Sequence, residues 1–319
     1  MGLRRSDVGK PGWTRRRHGR GFGYRDERGR PLSAARVRRC RDLVIPPAWR
    51  DVWICPDPDG HIQATGLDDA GRRQYLYHPQ WRRRRDRRKF RHVRDVGEAL
   101  PRLRRRVRED LRARGVPARR ILALAVRLLE LGLFRVGGDV YAGGDEPTYG
   151  VATLRAEHVR RRAGGLTFRY PAKGNIERTV AVTDAAALAA LESLRRHRHG
   201  DDRLLAWRDI DGTWHDVHSD DINDYLKSAS GIDMTAKDLR TWHATVLAAK
   251  ALARAETPGT LTASRRTVAR VVREVAEELG NTPTVARASY IDPDVIERFE
   301  KGQTIARDTE AAVRDLLDS

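Results

Sequence analysis

Tyr290 closes the stretch Glu278-Leu279-Gly280-Asn281-Thr282-Pro283-Thr284-Val285-Ala286-Arg287-Ala288-Ser289-Tyr290-Ile291, and its phenolic hydroxyl is of a type able to attack a phosphodiester. Gly280 ends the periodic helix before it, Thr282 can cap a new helix, and Pro283 stands at the first helical position, where a missing N–H costs nothing. Tyr290 then falls about two turns on, near the end of a short helix. The same spacing also describes a helical hairpin that ends in a core tyrosine. Three cationic side chains stand at element ends, two of them where they could meet a phosphate. Thr235-Ala236-Lys237-Asp238 reads as a capping box, so Arg240 lies in the first turns of a helix, where free N–H groups and the dipole favour an anion. Its guanidinium adds a bidentate donor there. Lys173, with Gly174 and Asn175, sits at the pivot of a hairpin, a long side chain able to enter a groove, although hairpin-tip lysines are commonly just solvated. Arg135 ends an apolar helix just before Gly137-Gly138, a position that an arginine answering the helix dipole would also take.

The elements that must hold these groups come in two blocks. From Ile45 to Phe90 the chain reads as sheet: Val52-Trp53-Ile54-Cys55 as a strand, Asp57-Pro58-Asp59-Gly60 as a turn, 61–66 as a partner strand, then Gln74-Tyr75-Leu76-Tyr77 with both tyrosines on one face. Helices dominate afterwards. Leu100, Leu103, Val107 and Leu111 mark an amphipathic helix over 97–114 with a basic outer face, and Leu122, Val126, Leu129 and Leu133 line one side of another over 120–134. The alternation at Leu166, Phe168 and Tyr170, and again at Ile176, Arg178 and Val180, makes 165–182 a hairpin. Further helices are expected over 184–196, 220–229, 235–255 and 267–279. The organisation read from this pattern is a basic mobile arm over 1–20, a β-rich domain over 21–92 and a mainly helical domain over 93–319, to which the resemblance drawn below assigns DNA binding and catalysis respectively. The fold class is α+β: a small N-terminal β-sheet domain plus a larger, mostly α-helical domain with a small β-sheet.

Charge narrows the partner. The 319 residues carry 63 Lys plus Arg against 44 Asp plus Glu, a formal net charge of +19 that points to a polyanion. Arg82, Arg83 and Arg84 belong to the run from Trp81 to Arg91, whose charge density would be repulsive without a counter-charge such as duplex phosphate. Two cysteines, Cys40 and Cys55, are too few for a disulfide framework and suit a reducing cytosol. The N-terminus has no apolar signal-like segment and no apolar run reaches membrane-spanning length, so the expected location is cytoplasmic, at the nucleoid. Gly21 and Gly23 lack the lysine and hydroxyl of a nucleotide cradle, and ATP dependence is not suggested. Asp26 with Glu27, His197 with His199, and the scattered Asp216, Asp220, Asp221 and Asp224 do not add up to a ligand set, so no metal is expected.

Asn281-Thr282-Pro283 followed by Arg287-Ala288-Ser289-Tyr290 resembles the nucleophile segment of the type IB DNA topoisomerases, in particular the bacterial and poxvirus-like branch. Phe134-Arg135-Val136-Gly137, Tyr170-Pro171-Ala172-Lys173 and Lys237-Asp238-Leu239-Arg240-Thr241 extend the resemblance in the expected order, over 10–305. The resemblance implies that Tyr290 is the nucleophile, Arg135 and Arg240 the catalytic arginines, Lys173 the general acid and Asn281 a donor to a non-bridging oxygen. It also implies that Gln74, Tyr75 and Tyr77 touch duplex DNA, and that Tyr141 approaches it from the loop before Gly150. The activity implied is relaxation of positive and negative supercoils through a 3′-phosphotyrosyl intermediate, with no cofactor, nucleotide or membrane, by a monomer. Many relatives carry histidine where Asn281 stands; asparagine keeps a neutral donor but carries no proton, which favours a stabilising over an acid–base role. The alternatives are a tyrosine site-specific recombinase, against which Lys237 occupies a place where recombinases usually have histidine, and a non-catalytic nucleoid-binding protein.

Overall fold

Alternation of side chains sets the first sheet. In β1 (Trp13–His18), Trp13 and Arg15 point inward while Thr14 and Arg16 face out, the period of two that a half-buried strand requires. The computed structural model describes every residue except 1, 133, 144–145, 198–202 and 256–259. It divides into two units, Met1–Phe90 and Arg91–Ser319.

In the first unit β1 is followed by β2 (Gly21–Arg25), helix α1 (Ala34–Asp42), β3 (Arg50–Ile54), β4 (Ile62–Leu67) and β5 (Arg73–Tyr77). The five strands form one antiparallel sheet in the order β2-β1-β3-β4-β5. Trp13, Leu32, Cys40, Ile45, Val52, Ile54 and Ala64 make its core. A detached basic arm over 1–20 is therefore not what the chain forms. Residues 13–18 are a strand, Ser6 N donates to His61 Nδ1 at 2.8 Å, and Ser6 Oγ donates to Ile62 O at 2.9 Å. Arg15, from the triple-arginine run, is buried: its Nη1 donates to Ile45 O, its Nη2 to Pro46 O and Trp49 O, each at 2.9 Å, and its guanidinium lies 4.2 Å from the Phe22 ring centre. Three carbonyls and an aromatic face satisfy the cation, so charge alone did not make this segment an arm.

Helix α2 (Pro79–Leu111) begins far earlier than the apolar run from Leu100 suggests. Phe90, Val93 and Val96 are buried at the same three-to-four spacing as Leu100, Leu103, Val107 and Leu111, so the stripe continues back into the arginine run. Pro79 opens the helix and arginine is a good helix former.

The second unit is built on α3 (Ala118–Glu130), in which Ile121, Ala123, Leu124, Ala125, Val126, Leu128 and Leu129 are all buried. That is more than one side: after the short α4 (Asp139–Ala142), the unit adds β6 (Val159–Arg162), β7 (Gly165–Ala172), β8 (Ile176–Val182), α5 (Ala185–His197), β9 (Ala206–Arg208), β10 (Trp214–Asp216), α6 (Ser219–Ser230) and α7 (Ala236–Ala253), and α3 packs on α5, α6 and α7 at once. Leu122 is only partly buried, and Leu133, like His199, lies outside the described residues. The expected hairpin is present, β6-β7-β8 being antiparallel with Ala172 opposite Ile176 and Lys173-Gly174-Asn175 as the turn; Gly174 (φ +81°) and Asn175 (φ +57°) supply the left-handed backbone. Then α8 (Leu261–Leu279), α9 (Pro283–Ser289), α10 (Pro293–Glu300) and α11 (Glu310–Asp318) complete an α+β fold with a β-sheet first domain and a larger, mostly helical one.

Candidate active site

The end of α8 organises the site. Gly280 takes the left-handed conformation (φ +60°) that stops the helix; its N–H donates to Glu277 O at 3.0 Å and the Asn281 N–H to Ala276 O at 2.8 Å. This is the Schellman closure, and it leaves the carbonyls of Glu278, Leu279 and Gly280 without backbone partners among the described residues. Each takes an arginine instead. Arg178 Nη2 donates to Glu278 O at 3.0 Å, Arg240 Nη2 donates to Leu279 O, and Arg135 Nη2 donates to Gly280 O at 2.8 Å and to Asn281 Oδ1 at 2.7 Å. Three consecutive carbonyls thus gather arginines from β8, from α7 and from the segment after α3. The partial negative charge of a helix C-terminus makes that gathering favourable.

Each arginine arrives by ordinary local structure. Thr235 caps α7, with its backbone N–H donating to Asp238 Oδ2 at 3.0 Å and its hydroxyl accepting from the Asp238 N–H at 3.4 Å, which puts Arg240 in the second turn. Trp242, two residues on, is buried against Gly97, where a Cβ would lie 2.7 Å from the indole and could not be accommodated. Arg135 leaves the fully packed α3 and is held by its own backbone, whose carbonyl accepts from Val151 N at 2.8 Å.

Tyr290 stands at the C-terminal end of α9, capped by Thr282 with Pro283 in the first turn. Its N–H donates to Ala286 O at 3.0 Å and its carbonyl accepts from Thr245 Oγ1 at 3.3 Å, so the tyrosine is stitched to α7, the helix of Arg240. The Arg240 guanidinium carbon lies 5.8 Å from the centre of the Tyr290 ring. A cavity of about 180 Å³ is lined by Arg135, Lys237, Arg240, His243 and Tyr290. A second cleft shares Phe134, Arg135 and Arg240 with it and adds Lys173, Arg178 and Tyr170.

The electrostatics are those of crowded, partly buried cations. Burial is the main cause that lowers Arg240 to about 10, and the like charge of Arg135 adds to it; burial also lowers Arg135. Burial pushes the Tyr170 hydroxyl up to about 12. The buried Nε of Arg240 and Nδ2 of Asn281 have no hydrogen-bond partner among the described residues, although such donors are costly to leave unmet. An oxyanion in the cavity that Arg135 and Arg240 line would offset the repulsion between their guanidiniums. Among the described residues no group of three His, Cys, Asp or Glu side chains forms a metal site, and no helix is long and apolar enough to cross a membrane.

Residues 78–316 match the family model described as the eukaryotic DNA topoisomerase I catalytic core, and 21–68 match the bacterial DNA topoisomerase IB N-terminal domain. The chain belongs to the type IB DNA topoisomerase family. It is 27% identical over 271 residues to DNA topoisomerase 1B of Acanthamoeba polyphaga mimivirus, covering 83% of this chain and 80% of that one. A solved structure of the XerH site-specific recombinase bound to difH substrate, a pre-cleavage complex, is similar at a TM-score of 0.39 and 16% identity. That match covers 64% of this chain, which spans about half, 52%, of the recombinase chain.

Of the site residues read from the sequence, this member of the type IB topoisomerase family brings Arg135, Arg240, Asn281 and Tyr290 together, with exposed Lys173 at the rim of the adjoining cleft. Gln74, Tyr75, Tyr77, Arg82, Arg83 and Arg84 belong to the first unit. There Tyr75 and Tyr77 stack with ring centres 6.1 Å apart, Gln74 Nε2 donates to Asp68 Oδ2 at 2.8 Å, and the three arginines are exposed along α2. Tyr141 is exposed on α4 and lines neither cavity. Two residues of the site do not stand out in the sequence. His243, whose pKa burial lowers, lines the same cavity as Tyr290. Arg178 is the third arginine of the cluster, and its signal lies in the strand pattern: it alternates with Ile176 and buried Val180, an inward register in which an arginine needs a partner.

Proposed function

We propose that the protein relaxes supercoiled DNA by single-strand transesterification at Tyr290, without ATP or metal. The observation that carries this reading is the pair of unmet buried donors, Arg240 Nε and Asn281 Nδ2, in the same cluster as the Tyr290 ring. Tyr290 Oη attacks a phosphodiester in line with its 5′ oxygen; the Oη–P bond forms as the P–O5′ bond breaks. The phenolic proton passes to solvent, and the Lys173 ammonium protonates the departing O5′, which leaves a 3′-phosphotyrosyl strand and a free 5′-OH. Arg240 spends an Nη donor on Leu279 O and Arg135 spends Nη2 on Gly280 O and Asn281 Oδ1; their remaining N–H groups serve the non-bridging oxygens with Asn281 Nδ2. One phosphodiester replaces another, so the reverse attack by the 5′-OH needs no energy source, and the strand can swivel before it.

Duplex DNA is the partner. In this reading residues 21–92 bind it through Gln74, Tyr75, Tyr77 and the exposed Arg82, Arg83 and Arg84, Tyr141 adds a contact from the catalytic domain, and the protein acts as a monomer at the nucleoid. The test is relaxation of negatively and positively supercoiled plasmid by wild type and Tyr290→Phe, with EDTA present and ATP absent. Relaxation of both by wild type alone, with a covalent adduct that maps to Tyr290, is the expected result. Activity abolished by EDTA, or retained by Tyr290→Phe, would overturn it, and an adduct that forms only on paired specific sites would make the protein a recombinase.

A further inference from the structure

The α8 terminus holds three arginines, and the proposed chemistry employs two. Arg178 comes from β8, just beyond the hairpin turn, and lies opposite Tyr170 where the strands end at Ala172 and Ile176. Its Nη2 donates to Glu278 O at 3.0 Å, and its Nη1 reaches Glu277 O at 3.5 Å, a carbonyl that the Gly280 N–H already uses. The first contact therefore carries the link. Among the described residues these are the hydrogen bonds that join β8 to α8. The helix end is shaped for them: a Cβ at Gly280 would lie 2.8 Å from Arg178 Nη1.

We propose that Arg178 is a positioning residue that ties the Lys173 hairpin to the end of α8, setting the proton donor against the segment that carries Asn281 and leads to Tyr290. This rests on the roles given above to Lys173 and Tyr290. The need for such a tie follows from the sheet. In the order β6-β7-β8 the strand β8 is an edge, and Lys173, Gly174, Asn175 and Ile176 are all exposed. The cross-strand pair of Arg169 and Glu177, 2.9 Å, stiffens the hairpin on its solvent side but fixes it to nothing else. The β7 strand is held, since Tyr149 N–H donates to Pro171 O at 2.9 Å and Tyr170 is buried, which leaves the β8 edge beyond the turn to be fixed; a lysine at the tip of a hairpin held through one strand alone would wander by more than proton transfer tolerates. Arg178 lines the cleft beside Lys173 and removes that freedom through its Nη2, which donates to Glu278 O.

The experiment is single-turnover adduct formation on a duplex whose cleavage position has been mapped with wild type, made with either oxygen or sulfur as the bridging 5′ atom. A thiolate leaves without a proton, so sulfur removes the need for a general acid. Arg178→Ala should slow cleavage of the oxygen substrate about 10- to 100-fold and come within about threefold of wild type on sulfur. Arg178→Lys, which has a point charge and no fork, should fall between them and serves if the alanine variant folds poorly. Arg169→Ala should cleave both as wild type does. Equal slowing of Arg178→Ala on both substrates, or no slowing on oxygen, overturns the proposal. Lys173→Ala in parallel separates the two levels: sulfur rescue of Lys173→Ala but not of Arg178→Ala sinks the Arg178 role alone, whereas no rescue of Lys173→Ala sinks the acid assignment and the Arg178 role with it.

Discussion

Arginine works differently in the two units. On α2 the guanidiniums of Arg82, Arg83 and Arg84 stay in solvent, where a charge costs little to keep and acts through a field that salt screens. At the end of α8, Arg135, Arg178 and Arg240 have lost part of their hydration and are fixed by single backbone carbonyls. The first arrangement attracts a polyanion in many registers. The second can discriminate one phosphate from its neighbours, because the donors left over are few and held in place. In the proposed reading an arginine becomes a chemical tool when the backbone fixes its guanidinium and a donor is left over, as with Arg240 Nε.

The sharpest way to break this contrast is at Arg240. Arg240→Ala should lower the rate of covalent adduct formation about 10³-fold, some 4 kcal/mol of transition-state stabilisation, while binding of uncleaved duplex weakens little. Arg240→Lys should recover only a small part, since an ammonium cannot bond Leu279 O and a phosphate oxygen in one fixed fork. Single-turnover cleavage at saturating protein measures both, and an Arg240→Lys rate near wild type would mean that charge alone suffices there.

Arg94 tests what a fixed guanidinium is worth without any role in chemistry. It donates to buried Asp292 at 3.1 Å and to Leu317 O at 2.8 Å, and pairs with Asp294, anchoring α10 just after Tyr290. Burial holds the Asp292 carboxyl above its ordinary range even with Arg94 beside it. Arg94→Ala leaves that charge uncompensated and should cost about 3 kcal/mol of stability, read as denaturant or thermal unfolding at pH 7. The sign with pH is fixed: an acid whose folded pKa is raised penalises the fold while ionised, and the penalty fades as pH falls through the folded value. The gap between wild type and Arg94→Ala should therefore narrow from pH 7 toward pH 5; a gap that widens on acidification would place the loss elsewhere.

Much of this was legible in residue order. The capping box before Arg240, the Gly-Asn turn beside Lys173, and the Gly280-Thr282-Pro283 punctuation before Tyr290 are local signals, and each set its side chain where the structure has it. What escaped depended on the tertiary partner. Arg15 looks like part of a basic arm until the carbonyls of Ile45, Pro46 and Trp49 close around it, and Arg178 looks like an ordinary strand residue until α8 ends beside it. Backbone carbonyls leave no mark in a sequence. The start of α2 lies earlier than the apolar pattern suggests for a simpler reason: the dense run of arginines over 82–91 hides the apolar stripe that runs through Phe90.

The solvent-facing set should show the opposite behaviour to Arg240. Arg82→Ala, Arg83→Ala and Arg84→Ala together should reduce the slope of log affinity against log salt by about 2 to 3, near 0.9 for each phosphate that the protein ceases to neutralise. At saturating protein the cleavage rate should not change. Titration of labelled duplex at several salt concentrations reads the first, and single-turnover cleavage the second. An unchanged slope would remove these arginines from the DNA-binding face.

The smallest effect, and the most informative about the cluster, belongs to Asn281. Its Oδ1 accepts from Arg135 Nη2 at 2.7 Å while its Nδ2 is buried and unmet, so one side chain both aims an arginine and offers a donor. Asn281→Ala removes both functions and should slow cleavage about 10- to 100-fold. Asn281→His keeps a ring N–H for the phosphate and, as the neutral imidazole, a nitrogen able to accept from Arg135, and should lose less. If the role is stabilisation by a neutral donor, the rate of the wild type should not follow a titration between pH 6 and 8 that the histidine variant acquires. Equal rates in all three proteins would show that Arg135 is held well enough by Gly280 O alone, and the contrast between fixed and solvent-facing arginines would then rest on the backbone carbonyls without help from any side chain.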